Sequence, residues 1–256
     1  MDAVNRSRLI AGAGTPAAAW RADPALAEVP FAALDELVPP AARALVVAPH
    51  PDDEILPCGG LLRLLALRGM PARIVAVTDG EGSHPGSPAW PPQRLRATRP
   101  RETLDALARL GIVAPVVERV GIADGGIAAA QALLAGRLAA LLAPGDVVVT
   151  TWRYDGHPDH EATARACAAA AAARGARLLE APVWGWHWSA PGDGAIPLAR
   201  ARRLALDAGT MARKRAALAC FRSQLEADAS TGAAPIVFPG ALERLLNPWE
   251  VYLHDA

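Results

Sequence analysis

The sequence predicts a three-layer, Rossmann-like α/β fold in which a mostly parallel sheet lies between two layers of helices. Short apolar runs, such as residues 44–48 (ALVVA) and 146–151 (DVVVTT), are typical of strands buried on both faces. Helix-forming stretches separate these runs, and strands that alternate with helices form βαβ units. Apolar residues make up 52% of the chain, which is enough for one large core.

The elements follow one another along the chain with short connections. Residues 1–42, rich in Ala and Pro, predict an irregular N-terminal strap with one short helix near residues 31–37. Strands are predicted at residues 44–48, 73–78, 115–120, 146–151, 177–183 and 204–207. Helices are predicted at residues 59–68, 94–110, 127–142, 161–174 and 211–226. We therefore expect one domain over residues 43–228, with residues 229–256 forming a C-terminal extension that packs on it.

Charge and cysteine content exclude several classes of protein. Lys plus Arg and Asp plus Glu number 26 each, so no global basic field attracts nucleic acid or an anionic membrane. No apolar run approaches the roughly 18 residues that span a bilayer. Cys58, Cys167 and Cys220 lie far apart, which excludes a disulfide framework and fits a reducing compartment. We expect a cytoplasmic protein without nucleic-acid partner or integral membrane segment; a homo-oligomer remains open.

Two polar clusters come directly after predicted strands. They are residues 49–54 (PHPDDE) and residues 155–161 (DGHPDHE). Each alone is explained by a turn or by a helix start with a capping Asp. However, ligands bind at the carboxyl ends of strands in such sheets, so the clusters are expected to meet. Two histidines and one carboxylate with an open position form a catalytic zinc site, and a bound dication compensates crowded acids.

The motifs APHPDDE (residues 48–54) and GHPDH (residues 156–160), in this order, resemble the PIG-L/LmbE-like family of zinc-dependent N-deacetylases. That family includes N-acetylglucosaminyl deacetylases acting on phosphatidylinositol-linked, mycothiol-precursor, bacillithiol-precursor and glycopeptide sugars. The resemblance extends from about residue 43 to residue 224, and it includes TDGE at residues 78–81. It implies hydrolysis of an N-acyl, chiefly N-acetyl, amide on a small sugar or glycoside.

The resemblance also implies roles for five residues. His50, Asp53 and His160 would bind one Zn²⁺, which Fe²⁺ can replace. Asp52 would be the general base for the attacking water, since an Asp beside a ligand Asp can face that water. His157 would be the acid or the stabiliser of the oxyanion.

Five more residues are candidates for supporting contacts or substrate binding. Asp159 either orients an imidazole or caps a helix, and Asp124 either binds substrate hydroxyls or forms an Asp-Gly turn. Glu54 and Glu81 are candidates for hydrogen bonds near the site. Arg101 belongs to a basic run, residues 94–101, that is either a solvated helix face or a recognition site for phosphate or carboxylate.

Three further features of the sequence affect the shape of the site. Trp184, Trp186 and Trp188 alternate as on one face of a strand, either in the core or against a sugar ring. The aromatic tail (Trp249, Tyr252 and His254) is positioned to close over the cleft. In thiol-pathway members of the family a Tyr stands two residues before the first His of GHPDH. In this chain that position is Asp155, and Tyr154 precedes it.

Other functions fit the sequence less well. The facial triad of iron oxygenases also uses two His and one carboxylate, but its ligands usually lie on antiparallel barrels. A dinucleotide-binding turn requires GxGxxG, which is absent after the first strand. A sugar-binding module with a structural metal has no need of Asp52 or His157. An amidase that cuts a larger amide conjugate remains an alternative, because loop shape separates it from a deacetylase.

Overall fold

A single seven-stranded sheet organises the protein in a computed structural model that describes residues 8–70 and 72–254. Its strands are β1 (Ala44–Ala48), β2 (Ala72–Ala76), β3 (Val116–Arg119), β4 (Val147–Thr151), β5 (Arg177–Ala181), β6 (Ala201–Ala205) and β7 (Trp249–His254). The spatial order is β3-β2-β1-β4-β5-β7-β6. The first five strands are parallel, and β7 is antiparallel to both of its neighbours.

Helices cover both faces of the sheet. The longer ones are α4 (Gly59–Leu67), α5 (Pro92–Arg109), α6 (Gln131–Leu141), α7 (Pro158–Arg174) and α9 (Ala208–Leu218). The shorter ones are α1 (Ala17–Arg21), α2 (Pro24–Glu28), α3 (Leu34–Leu37), α8 (Gly185–Trp188), α10 (Arg222–Leu225) and α11 (Pro239–Leu245), with a 3₁₀ turn at Leu198–Arg200. None of the helices in the described part of the chain has the length and apolar character needed to cross a bilayer.

The central strands are buried on both faces because both faces are apolar. All residues of β1 and β4 are buried. Val46 and Val149 belong to a core that includes residues of α4, α5 and α9. Val47 and Val148 belong to a second core, with residues of α6 and α7. Two cores separated by one sheet confirm the predicted three-layer α/β fold.

The strand order reverses beside β1. The chain passes from β1 to β2 and β3 on one side of the sheet, and then returns to β4 and β5 on the other. The loops that follow β1 and β4 consequently diverge from adjacent strands and leave a crevice between them. In open α/β sheets this is the usual position of a ligand site.

One predicted helix and one predicted strand-like segment differ from the structure. The predicted helix at residues 211–226 is interrupted, since α9 ends at Leu218 and α10 begins at Arg222. Phe221 lies between them in a non-helical conformation, with its side chain buried in the core. The predicted strand-like alternation of residues 184–188 is wrong, because these residues form the short helix α8.

The described part of the N-terminal strap contains three short helices, and the predicted one corresponds to α3. Residues 1–7 of the strap lie outside the described residues. Trp20 of α1 is buried and donates its indole N–H to the carbonyl of Trp186 at 2.8 Å. Arg244 of α11 donates to the carbonyl oxygens of Ala13 and Thr15. The described part of the strap is therefore hydrogen-bonded to both α8 and α11.

The C-terminal residues complete the sheet rather than covering a cleft. Tyr252 is fully buried within β7, and His254 is in register with Leu179 of β5. The expectation that Trp249, Tyr252 and His254 close over the cleft is therefore wrong. The sequence did not predict strand β7, because the charged residue Glu250 interrupts its apolar pattern. In the structure Glu250 is buried.

Glu250 is the centre of a buried polar network that joins β7 to α4 and α9. Its carboxylate accepts the backbone N–H groups of Gly60 and Leu61 at 2.7 and 2.8 Å, in the first turn of α4. It also accepts the Tyr252 hydroxyl at 2.8 Å and the Lys214 ammonium at 2.7 Å. A carboxylate is stabilised at a helix N-terminus, so the last strand fixes the start of α4.

Replacement of Lys214 by Met is expected to lower the free energy of unfolding by about 3–5 kcal/mol, because Glu250 then stays buried without its counter-ion. Urea denaturation followed by circular dichroism measures the change. The matched control is Arg68→Met, which removes an ion pair to Asp35 whose side chains are 60% and 49% exposed. That variant is expected to unfold like the parent protein. Equal losses in the two variants would contradict the prediction.

Candidate active site

The loop after β1 carries a strained aspartate. Asp52 has a φ of 118°, a region that residues with a side chain rarely adopt. Its N–H donates to Glu54 Oε2 at 3.0 Å, and its carbonyl accepts the N–H of Ile55 at 2.9 Å. Both Asp52 and Glu54 are buried. The tight turn directs Asp52 and Asp53 into the crevice beside β1.

Three side chains converge on one point of this crevice. Asp53 Oδ2 lies 3.2 Å from His50 Nδ1 and 3.2 Å from His160 Nε2. One ligand atom from each residue lies within 4.8 Å of the others. His50 and Asp53 come from the loop after β1, and His160 comes from the first turns of α7. The fold thus brings together the predicted metal-binding residues from the two sequence clusters.

In both His50 and His160, the imidazole nitrogen that points away from Asp53 lies next to another carboxylate. His160 Nδ1 lies 2.8 Å from Asp155 Oδ2. His50 Nε2 lies 3.3 Å from Asp159 Oδ2 and 3.2 Å from Asp124 Oδ1. A proton held between these groups fixes the tautomer and orientation of each ring. His50 Nδ1 and His160 Nε2 are then left to face Asp53.

Asp155 is a positioning residue that the sequence interpretation did not include. Its side chain is fully buried, and it accepts the backbone N–H groups of Val183, Trp184 and Gly185 at 2.8–3.0 Å. Its position in the loop after β4, inside the cluster of acids and histidines, was the signal that could have identified it. Asp155 stands where some family members have a Tyr, while Tyr154 is 54% exposed.

Asp159 orients His50 and does not cap α7. Its carboxylate also accepts the N–H of Gly125 at 2.7 Å and that of Ile127 at 3.3 Å. The residue at the cap position of α7 is His157, whose Nδ1 accepts the N–H of Asp159 at 3.3 Å. Asp159 therefore joins the turn after β3 to the site.

The donor set fits a divalent metal. His50, Asp53 and His160 offer two imidazole nitrogens and one carboxylate oxygen, which is the ligand chemistry of a catalytic zinc site. A second cluster, formed by His50, Asp124 and Asp159, offers one imidazole and two carboxylates. Catalytic zinc sites commonly combine two imidazoles with one carboxylate, and only the first of these two clusters has that composition. The first cluster is therefore the better metal site.

Burial and mutual charge shift the pKa values of these groups in opposite directions. Burial, followed by the neighbouring Asp53 carboxylate, raises the pKa of Asp52 to about 8. Although burial opposes ionisation of Asp53, the imidazoles of His160 and His50 hold the pKa of Asp53 well below its usual range. The His160 pKa is raised to about 9: burial opposes this shift, but Asp53 and Asp155 outweigh it.

The surroundings of His157 favour its neutral imidazole. Burial, followed by the charges of His160 and His50, lowers the pKa of His157 to about 4. Because Nδ1 accepts the Asp159 N–H, the proton of the neutral ring is on Nε2. His157 lines the cleft and therefore offers that Nε2–H as a hydrogen-bond donor.

Arg99, rather than Arg101, reaches the site from α5. Its side chain is 2% exposed, and its guanidinium lies 3.6 Å from Asp52 Oδ2. It donates to the carbonyl oxygens of Gly80 and Pro51 at 2.8 and 2.7 Å. A Cβ at Gly80, where φ is +66°, would lie 1.8 Å from this guanidinium, so glycine is required there. Arg101 is exposed on α5, outside the cleft.

Two other predicted residues lie around the loop that follows β2. Glu81 is buried, and its Oε1 accepts from Arg96 at 3.1 Å and from the Asp124 N–H at 3.4 Å. Asp124 Oδ2 accepts the Gly82 N–H at 2.9 Å. Glu81 therefore supports the position of Asp124, whose other oxygen faces His50.

The cleft above these residues has a volume of about 270 Å³ and one apolar wall. That wall contains Leu56, Trp184, Ile236 and Val237. Ile236 and Val237 come from the segment that was predicted as a C-terminal extension. Of the three alternating tryptophans, Trp184 faces the cleft and Trp186 is buried in the core. Trp188 stacks on Trp152, with ring centroids 6.0 Å apart.

Comparisons with known proteins agree with this site. Residues 45–171 match the family model of PIG-L, described as GlcNAc-PI de-N-acetylase. Among curated proteins none matches this chain. A solved structure of the conserved protein TT1542 from Thermus thermophilus is 29% identical, covers 71% of this chain and 79% of its own, and has a TM-score of 0.53.

Two deacetylase structures share the fold. N,N'-diacetylchitobiose deacetylase from Pyrococcus horikoshii is 18% identical, with coverage of 76% of this chain and 74% of its own and a TM-score of 0.55. A deacetylase of the teicoplanin biosynthesis pathway, in complex with teicoplanin, is also 18% identical, with coverage of 72% and 88% and a TM-score of 0.59.

The family match begins within β1 and ends within α7, so it includes the loops that carry His50, Asp53 and His160. Residues 45–171 therefore form a PIG-L (GlcNAc-PI de-N-acetylase) domain, and this match supports a hydrolytic N-deacetylase that acts on amide bonds.

Proposed function

We propose that the protein removes an N-acyl group, chiefly acetyl, from a small sugar or glycoside, with Zn²⁺ bound by His50, Asp53 and His160. Fe²⁺ is the alternative metal. The observation that carries this proposal is the orientation of the two imidazoles, each with one nitrogen toward Asp53 and the other toward a separate carboxylate. Carboxylate–histidine pairs of this kind orient metal ligands. The family match supports the reaction class.

Asp52 is the proposed general base. Zn²⁺ at these donors would polarise the amide carbonyl and acidify the attacking water. Asp52 accepts the proton of that water and passes it to the leaving amine, so that amide and water yield a carboxylic acid and an amine. The buried Arg99 guanidinium, 3.6 Å away, favours the ionised carboxylate and so partly offsets the burial that raises the pKa of Asp52.

His157 is the proposed stabiliser of the oxyanion. A neutral ring with its proton on Nε2 donates a hydrogen bond to the carbonyl oxygen as negative charge develops there. The low pKa of His157 disfavours the alternative, a protonated imidazole that acts as acid. Asp52 is therefore the better candidate to protonate the leaving amine.

Substrate recognition is proposed to involve both sides of the cleft. Asp124, close to His50, accepts hydrogen bonds from substrate hydroxyls. Trp184, Ile236 and Val237 contact the apolar face of a sugar, its aglycone or its acyl group. The balanced charge favours a soluble small-molecule substrate. All three cysteines are free, which supports the proposed cytoplasmic location.

The first prediction from the proposed function concerns the metal and the base. Chelation is expected to abolish amine release from a panel of N-acetylated sugars, and Zn²⁺ is expected to restore it. Asp52→Asn is expected to lower kcat by roughly 10²–10⁴-fold while one Zn²⁺ per chain still binds. A fluorescent amine assay and metal analysis measure these effects. Loss of Zn²⁺ from Asp52→Asn would make Asp52 a ligand instead of a base.

The same panel separates the competing functions when larger amide conjugates are included. Cleavage of the conjugates alone would support the amidase alternative. Stoichiometric Zn²⁺ without cleavage of any amide would support a sugar-binding module and contradict the proposed hydrolysis.

The second prediction concerns Asp155. Asp155→Asn is expected to weaken Zn²⁺ affinity by about 10–100-fold, because the Nδ1 proton of His160 loses its anionic acceptor. Competition with a chromogenic chelator measures the affinity. Tyr154→Phe is the adjacent control and, since Tyr154 does not line the cleft, is expected to keep both affinity and activity. Unchanged Zn²⁺ affinity in Asp155→Asn would leave Asp155 only a structural role.

The third prediction concerns His157. His157→Ala is expected to lower kcat by about 10²–10³-fold with little change in Zn²⁺ affinity, because a donor to the oxyanion is lost. The control is Asp207→Ala, which removes a helix cap bonded to the Thr210 N–H at 2.6 Å, at a residue that does not line the cleft. That variant is expected to lose stability but to keep kcat. A loss of Zn²⁺ in His157→Ala would contradict the assignment.

A further inference from the structure

A second, larger cavity lies beside the catalytic loops. Its volume is about 470 Å³, compared with about 270 Å³ for the catalytic cleft. Pro51 lines this cavity, whereas the next residue, Asp52, lines the cleft. Asp79 lines the cavity, and Gly82, three residues further on, lines the cleft. The two spaces are therefore neighbours that share the loops after β1 and β2 as a wall.

One face of α5 supplies much of the lining. Ala97, Pro100, Arg101 and Leu104 recur at spacings of three and four residues, as positions on one helix face do. Val117 of β3 also lines the cavity. Leu104 is 46% exposed although it is apolar. The cavity thus offers an apolar surface that the rest of the described chain does not cover.

The cavity is also cationic. Its lining contains three guanidinium groups, of Arg96, Arg101 and Arg119, and one carboxylate, of Asp79. Arg119 is held by Asp79 through bonds of 2.9 and 2.5 Å, and Arg96 lies 3.1 Å from Glu81. No carboxylate of residues 8–70 or 72–254 pairs with Arg101. The Arg101 guanidinium, with free N–H donors, therefore lines the same cavity as the apolar side chains of Leu104 and Val117.

We propose that this cavity is a second binding site, distinct from the catalytic cleft, for a small organic anion. The ligand class is an oxyanion, phosphate or carboxylate, attached to a compact apolar group. The Arg101 guanidinium binds the oxyanion, for which its planar set of N–H donors is suited. Leu104 and Val117 contact the apolar group. Arg101 thus acts in this second site and not in the deacetylation chemistry.

Isothermal titration of the full chain tests the site with phenyl phosphate, benzoate and phenol at low ionic strength, where charge interactions are least screened. Each probe is titrated into zinc-loaded and into chelated protein, because an oxyanion can also bind the catalytic metal. We expect phenyl phosphate or benzoate to bind under both conditions, and neutral phenol to bind at least tenfold more weakly. Whichever anion binds more tightly identifies the oxyanion.

Variants on α5 locate the site. Arg101→Gln and Leu104→Glu are each expected to weaken the preferred anion about tenfold or more. Arg109→Gln, an exposed arginine of the same helix outside the cavity, is the matched control and is expected to bind as the parent protein does. Binding that disappears on chelation, that Arg101→Gln leaves unchanged, or that Arg109→Gln weakens equally would overturn the proposal. Absence of binding by both anions would overturn it as well.

Discussion

The buried carboxylate of Asp53, shared between the imidazoles of His50 and His160, is the contact on which the rest of the site depends. A buried charge is costly unless other charges compensate it, and here the two rings lie 3.2 Å from the same oxygen. The contact forms because β1 and β4 are adjacent in the sheet, while the two strands between them in sequence, β2 and β3, lie on the other side of β1. The site therefore depends on the reversal of strand order beside β1.

Outer carboxylates connect this centre to the walls of the cleft. Asp155 holds His160 and also the N–H groups of residues 183–185, and Trp184 among them faces the cleft. Asp159 holds His50 and also the turn after β3, next to Asp124. Each outer acid therefore fixes a ring and a substrate-facing loop together. The orientation of the donors and the shape of the cleft are set by the same hydrogen bonds.

Described segments near both ends of the chain help to shape the site. Glu250 in β7 binds the first turn of α4, the helix that ends the loop carrying Asp52 and Asp53. Residues 236–237 supply part of the apolar wall. Arg244 ties the N-terminal strap to the same region. Segments outside residues 45–171 thus complete the cleft, whereas its proposed catalytic and metal-binding residues lie inside that range.

The sequence by itself determined the α/β class and the central strands, and it predicted the proposed metal donors, because apolar runs and crowded acids and histidines are local patterns. It also indicated the family, since both motifs are continuous in the chain. Only the tertiary structure decided the roles of Asp155, Arg99 and Glu250, and the position of β7. Each of these charged side chains is buried against partners at least five residues away, such as Lys214 for Glu250. A buried charge and a solvated one look the same in a sequence, because the compensating partner is chosen by the folding of distant segments.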